Sequence, residues 1–524
     1  MASRPAHRIR FAARLIAMPS ARLSFAVLAL AGGACVGPNY GRPDEPLPPD
    51  WRPPSSIADS VKPFFDSLAA ARRADSSALQ HMGGTTISRS LSDSIANIRW
   101  FDLLQDSVLQ TLVTIALAEN KDLKIALSTI DEFRSEVTIA KGPFYPQVSV
   151  NGLGGANRVP VLSGPHASYN VLNATVDLQW ELDFWGRIRR GSEAAQADLL
   201  TQEENERAVI LTLVSDVATA YLTLRELDEN LAISRSTLAS RNETYRLALD
   251  RYGQGVISEL DVRQFESDVA GAAASVADFE RQVAQQEHLL SILLGRNPAG
   301  IPRGRRLTDV VADIPVPVGL PSTLLDRRPD VRASEAALHA ATARIGQAEA
   351  ARFPKFTITG QYGYQATNLS DLFQTNGQIY QAFLGVSIPI FTGGQLKGAE
   401  DVQRARAEQA LYVYERTLIG ALREVEDALT ALRTAHDQLV AQVTQVNALH
   451  GAERLASLRY QNGVSSYLEV LDAQRNLFAA QLALTQAELL QLAAAVQLYK
   501  ALGGGWPTNA PWDSTQTTDS TRRP

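Results

Sequence analysis

One cysteine, three methionines and seven histidines in 524 residues leave little material for several common chemistries. A disulfide within the chain is impossible, and the histidines, His81, His166, His288 and His436 among them, fall at no metal-ligand spacing. No metal and no cofactor is expected. The hydrolase elbow G-x-S-x-G, the zinc motif H-E-x-x-H and the phosphate loop G-x-x-x-x-G-K-[ST] are all missing, so no enzyme is expected either. Gly503-Gly-Gly505 follows a helical stretch instead of joining a strand to one, which suits a helix end. Asp326 to Arg332 reads as a helix start with Pro329 in its first turn. Beyond the N-terminus no uninterrupted apolar run is long enough for a spanning helix, and mean hydropathy is −0.11. Any membrane contact would have to come from strands or from an anchor.

What is present begins with residues 1–34. They carry Arg4, Arg8, Arg10, Arg14 and Arg22, no acidic residue, and an apolar run from Phe25 to Ala31 closing on Gly32-Gly33-Ala34. This is the pattern of a signal peptide with a small-residue cleavage site. The single cysteine, Cys35, stands at that junction, where a bacterial lipobox places a lipid-bearing cysteine; Gly32 occupies the position that usually holds Leu. Removing five positive charges from a net −6 leaves −11, a poor balance for nucleic-acid binding. Residues 35–97 read as a lipid-anchored tether and linker, Pro-rich at first and then polar.

The rest is said twice. From Leu172 to Phe184 apolar and polar residues alternate without a fault; about 207 residues later Tyr380 to Ile390 again puts Tyr380, Ala382, Leu384, Val386, Ile388 and Ile390 on one face. Phe184-Trp-Gly186 closes the first copy and Phe391-Thr-Gly393 the second. Each alternating strand has a partner before it, with Val148 and Val150 in the first copy and Phe356, Ile358 and Tyr362 in the second. The expected hairpins have loops near 154–168 and 365–378, and a helix, over about 107–140 or 329–352, precedes each. The apolar sets Val148 and Val150, then Leu172, Val176, Leu178 and Trp180, then Phe356, Ile358 and Tyr362, then Leu384, Val386 and Ile388 are candidates to face lipid.

After each hairpin comes a proline-free helical stretch, about 187–251 and 395–459, each spanning roughly 95 Å at 1.5 Å per residue. Such length needs lateral support from other helices. Matched turns follow, Arg251-Tyr-Gly-Gln-Gly255-Val256-Ile-Ser258-Glu-Leu-Asp261 and Arg459-Tyr460-Gln-Asn-Gly463-Val464-Ser-Ser466-Tyr-Leu-Glu469. Gly255 and Gly463 supply helix-ending left-handed residues, and Ser258 and Ser466 the next N-caps. Returning helices reach about Gly295 and Leu502.

Four strands cannot close a barrel, and open edges are not tolerated in hydrocarbon. Either the chain oligomerises, three copies giving twelve strands around a watery lumen, or the strands form a soluble sheet on a lipid-anchored coiled-coil scaffold.

Cys35-Val-Gly-Pro-Asn-Tyr40 with Arg42-Pro43, Leu325 to Ala333, Ile345-Gly-Gln-Ala-Glu-Ala350 with Phe353-Pro354, and Tyr499 to Trp506 resemble the outer membrane efflux proteins. The nearest branch is the lipoprotein outlets of resistance-nodulation-division (RND) pumps, the TolC/OprM/NodT group. The resemblance implies a mixed α+β, TolC-like fold: a trimeric β-barrel of four strands per protomer, continued by a long periplasmic α-helical barrel. It covers roughly 35–54 and 98–506, with a first repeat at 98–300 and a second at 301–506; residues 507–524 are expected to be a disordered C-terminal tail. It implies a homotrimer in the outer membrane, passing drugs, metals or other small solutes, with a periplasmic adaptor and an inner-membrane RND pump as partners. The outlet of a type I protein secretion system has the same architecture.

By the same resemblance the turns are periplasmic tips where adaptors dock, involving Arg251, Gly255, Val256, Ser258, Arg459, Gly463, Val464 and Ser466. Asp261, Tyr460, Glu469 and Asp472 fall at gate positions, and Ser465 stands where TolC has an arginine. Three copies of Glu469 and Asp472 around one axis would concentrate six carboxylates and attract cations. Acids at a helix start are also favourable in their own right.

Overall fold

The computed structural model describes residues 36–43, 106–161, 164–309 and 327–504. The signal peptide, Cys35, the rest of the tether and linker, and the C-terminal tail lie outside the described residues. Two compact units divide the chain. The first comprises 36–38, 141–192 and 343–401, and the second 39–43, 106–140, 193–342 and 402–504 among the described residues. Each sequence repeat contributes to both units.

The first unit is built on one antiparallel sheet of strands β1 (Gln147–Val161), β2 (Gly164–Leu182), β3 (Lys355–Ala366) and β4 (Gln378–Ser387), in that order. The central seam, β2 on β3, joins the two repeats: Trp180 pairs with Ile358 and Val176 with Tyr362. Two expectations need correction. The region 154–168, read as an irregular loop because of its Gly, Pro and Ser, is mostly strand: backbone pairing continues from Gly155↔Val171 to a bulge between Val159 and Val161. Ladder hydrogen bonds need no particular side chain, so weak β-propensity was overridden. Ile388, expected on the last strand, lies one residue beyond β4, because Pro389 cannot donate to a ladder and restricts the residue before it.

The second unit is helical. α1 (Ser107–Glu119) and α2 (Lys121–Lys141) replace the single helix expected over 107–140. The break is Asn120, whose side chain accepts from the Leu123 N–H at 3.0 Å and donates to the Leu293 carbonyl at 2.9 Å. A polar residue that caps two helices at once interrupts an apolar period that otherwise runs straight through it. α3 (Arg187–Gly253) and α6 (Gln395–Gln461) have 67 residues each, and the returning helices α4 (Glu259–Leu293) and α7 (Tyr467–Ala501) have 35 each. α5 (Pro329–Ala350) precedes the second hairpin.

The main core of this unit gathers Leu112 and Val113 of α1, Val217, Tyr221 and Leu222 of α3, Leu290 of α4, and Leu492 and Val496 of α7. Asp106 caps α1, accepting from Val108 N–H at 2.8 Å, and its other oxygen takes the Arg305 N–H at 3.1 Å. Tyr221 donates to that same oxygen at 3.3 Å and accepts the Gly304 N–H at 2.8 Å, which fixes the loop after α4 to α3. α3 and α7 each hold an 18-residue window apolar enough by length and composition to cross a membrane. Interspersed polar residues break these windows into shorter apolar runs. Much of their apolar surface is spent on the core just described.

The Gly-Pro-Asn-Tyr motif has a packing explanation. A Cβ on Gly37 would stand 2.3 Å from the Gly346 Cα, so the chain passes α5 only as glycine against glycine. Tyr40 stacks on His339, centroids 4.6 Å apart, and donates to Glu335 at 3.0 Å, while Arg42 pairs with Glu335 at 2.6 Å.

Candidate functional site: a lipid-type sheet face and two helix tips

Two surfaces of this chain carry the chemistry of a channel. The first is the sheet. Paired residues in a ladder point to the same side, and side chains alternate along each strand. The pairs Val148↔Leu178, Val150↔Val176, Trp180↔Ile358, Phe356↔Val386, Ile358↔Leu384 and Tyr362↔Tyr380 therefore all share one face, which Leu172 joins through Ala366. Every expected lipid-facing residue except Ile388 is on it. Within a single copy much of this face is bare: Val150 is 80% and Leu384 68% exposed.

Aromatic rings mark its ends. Phe184 meets Phe356 edge-on at 4.8 Å, and the Trp180 indole donates to the Phe144 carbonyl at 3.0 Å. At the other end stand Tyr362, Tyr380 and Tyr364 with Phe373. Along β3 Phe356 stands six positions from Tyr362 and eight from Tyr364, roughly 20–27 Å of strand, close to the apolar band of about 25 Å on outer-membrane barrels. The opposite face is mainly polar, with Ser149, Asn173, Gln179, Thr359, Gln361 and Gln381. There Asn151 and Thr175 both donate to Asp177.

The second surface is the pair of tips, both in the helical unit. Each closes by the same helix-ending motif: Val256 N–H reaches the Arg251 carbonyl and Val464 N–H the Arg459 carbonyl, both at 2.9 Å. Gly255 and Gly463 take φ of 72° and 73°, which other residues rarely adopt. Val256, Leu260, Val464 and Leu468 are all exposed.

Polar groups break the symmetry. Ser258 and Asp261 form a capping box, with Asp261 accepting the Ser258 N–H at 3.0 Å and its hydroxyl at 2.8 Å. Ser466 makes no side-chain cap bond, and Glu469 instead faces Arg459 at 3.5 Å. Arg251 reaches across to the other tip and donates to the Tyr460 hydroxyl at 2.8 Å. Asp472 is exposed and accepts from Asn476 at 3.1 Å. In the single chain Asp261 and Tyr460 are held by different partners, Ser258 and Arg251.

Beneath the tips Phe265 packs on Tyr467 at 3.9 Å with Ala248, Val470 and Leu471 around them. Burial, and then the charge of Asp268, push the Tyr467 hydroxyl well above its usual range. Asp268 itself is buried and accepts from Arg475 at 2.6 Å, while Arg241 donates to its carbonyl at 3.0 Å. This ionic knot was missed in the sequence. The signal was there, since Asp268 interrupts the buried stripe of Val262, Phe265 and Ala272 with a charge.

The profile of the outer membrane efflux protein family matches residues 112–296 and 320–504. The chain belongs to the outer membrane efflux protein family. A probable efflux pump outer membrane protein of Pseudomonas putida, TtgC, is 35% identical over 93% of this chain and 96% of its own length. CusC, a cation efflux system protein of Escherichia coli, is 32% identical over 79% of this chain and 90% of its own length. The crystal structure of the open state of the MtrE outer membrane channel of Neisseria gonorrhoeae superposes with a TM-score of 0.73. It is 32% identical and covers 81% of this chain and 94% of that one. The protein is an outer membrane efflux channel with the TolC-like fold, and its relatives are channel proteins.

Proposed function

We propose that three copies of this chain form the outlet duct of a tripartite pump, passing small solutes from an inner-membrane RND transporter through a periplasmic adaptor to the exterior. The observation that carries the reading is the sheet: one continuous apolar face, and two outer strands with no partner beyond them among the described residues. Strand direction alternates across the sheet, so β4 of one copy and β1 of the next would meet antiparallel. Three copies close twelve strands with no edge left in lipid. The polar face, with Asp177 and its amide and hydroxyl partners, then lines water.

In this reading Cys35 carries lipid, and Val36 beside it is tied to the Trp185 carbonyl, just past β2, at 3.1 Å. The exposed Val and Leu pairs of the two tips meet the adaptor, and Glu469 and Asp472 face the axis at the periplasmic constriction. The energy for transport is supplied by the pump. TtgC and its relatives carry names referring to toluene and antibiotics, and CusC to cations, so the exported class for this chain is set with its cognate pump.

The mass and shape of the detergent-extracted protein test this directly. Light scattering should give three chains per particle, and negative-stain images a tube longer than 100 Å on the family's architecture, since α3 alone has a contour of about 100 Å. A water-soluble monomer after Cys35→Ser would refute it and favour the scaffold.

A further inference from the structure

A cleft of about 600 Å³ lies among α3, α4 and α7 in the helical unit, and neither the duct nor the tips require it. Its walls are of two kinds. Leu227, Phe279, Leu482 and Leu489 form an apolar part, and four glutamines with Thr223 and Asn230 supply amide and hydroxyl groups. Among the lining residues only one is ionisable, Glu226. Its side chain is almost fully buried, 5% exposed, and its one hydrogen bond among the described residues is accepted from the amide of Asn230 on the next turn. No arginine or lysine pairs with it among the described residues, although Arg225 and Asp228 pair with each other close by in sequence.

A buried carboxyl without a cation is costly to keep ionised, and burial accordingly pushes Glu226 above the ordinary carboxylate range. Asn230 is itself held, since Thr485 of α7 donates to its oxygen at 2.5 Å. The carboxyl is therefore positioned by a relay from α7 and opens on a cleft wide enough for a small organic molecule. One carboxylate, several amide carbonyls and a phenyl ring are the groups that recognise an ammonium. The aliphatic wall adds selection for an apolar body attached to it.

We propose that this cleft is a binding site for a small organic ammonium with an aromatic or aliphatic body, its nitrogen held by Glu226 and the neighbouring amides. The site lies in the wall of the helical unit, so occupancy would fasten α7 to α3 and α4. The ligand supplies the counter-charge that the chain does not.

Phenethylamine and its neutral counterpart 2-phenylethanol are suitable probes of the full-length protein in detergent, with calorimetry as the readout. The amine is expected to bind at least tenfold tighter than the alcohol, and Glu226→Gln, which keeps size and the Asn230 bond, to lose that preference. Hydrogen exchange on the unmodified protein provides a test independent of any variant. The amine should slow amides within 223–230, 279–286 and 482–489, and the alcohol should not. Equal binding of amine and alcohol, an unaltered preference in folded Glu226→Gln, or protection confined to other segments would each overturn the proposal. In that event the Glu226, Asn230 and Thr485 chain is only a buried polar contact that sets the register of α7 on α3.

Discussion

Removing Arg475 should loosen the tips before it affects anything else in the fold. Its guanidinium lies 2.6 Å from the Asp268 carboxylate, which is 7% exposed while Arg475 is 54% exposed. Taking one partner from a fully buried pair costs about 3–5 kcal/mol, because the remaining charge keeps its desolvation penalty. Here water reaches the arginine side, so screening reduces the expected loss to about 1–2 kcal/mol. That is roughly a five- to thirtyfold rise in local opening. The opening should be local because the pair joins α4 to α7 next to the small tip cluster of Phe265 and Tyr467, away from the main core on Leu112, Tyr221 and Leu492. Amides in 262–272 and 470–480 should exchange about tenfold faster in Arg475→Ala, while those of α1 stay unchanged. Arg475→Lys should fall between, keeping the charge and losing the second contact through Nε. Unaltered exchange at both tip helices would show that Asp268 finds another partner, and the assignment of the knot as a tip fastener would be wrong.

Three further outcomes are expected. Glu469→Ala with Asp472→Ala should raise single-channel conductance in planar bilayers and weaken block by divalent cations; identical conductance and block would place these acids away from the constriction. Burial, reinforced by Glu229, pushes the Glu488 carboxyl from its ordinary 4.5 up to about 7. The folded chain therefore binds more protons between those values, so this stabilisation is present below about 4.5 and lost as pH rises through about 7. Discounted for partial exposure the loss is on the order of 1–2 kcal/mol. Glu488→Gln should melt a few degrees higher than the parent at pH 8 and equally at pH 4, and equal melting at both would exclude the effect. Cys35→Ser should abolish incorporation of labelled fatty acid while the trimer still assembles, and continued labelling would move the lipid elsewhere.

The sheet was the most legible part of this protein because its information is periodic and local. Strict alternation from Leu172 to Phe184 can be satisfied only by a strand with two unlike sides, and repetition about 207 residues later marked a second such strand, while the seam of β2 on β3 between the repeats carried no signal of its own. The tips were legible for a similar reason, since Gly255 and Gly463 and the serines after them are local signals whose copies reinforce each other. Contacts between distant residues carried no such mark. Asn120 splits a helix because its amide meets Leu293, 173 residues on, and nothing near Asn120 says so. Arg475 was invisible for the same reason, its partner being 207 residues away. The cleft at Glu226 requires three helices to be placed before a lone carboxyl at position 226 differs from any other helical glutamate.

The repeat also explains why one acid suits a gate better than its counterpart. Asp261 and Glu469 stand at matching places, three residues after Ser258 and Ser466, yet their carboxylates do different things. Asp261 is short enough to fold back on its own N-cap, and it accepts both the backbone and the hydroxyl of Ser258. Its charge is committed to starting α4, where a capping box is worth about 1 kcal/mol. Glu469 is one methylene longer, makes no such box, and reaches an exposed Arg459 at 3.5 Å, half in water. Exposed pairs of this kind hold by well under 1 kcal/mol and can be exchanged for another partner. Of the two acids Glu469 is thus the one free to turn toward the axis of the proposed three-copy duct, and Asp261 would have to give up a helix cap to do so. If the gate uses both, Asp261→Asn should cost α4 stability as well as altering conductance, whereas Glu469→Gln should alter conductance alone; the reverse pattern would reject this division of roles.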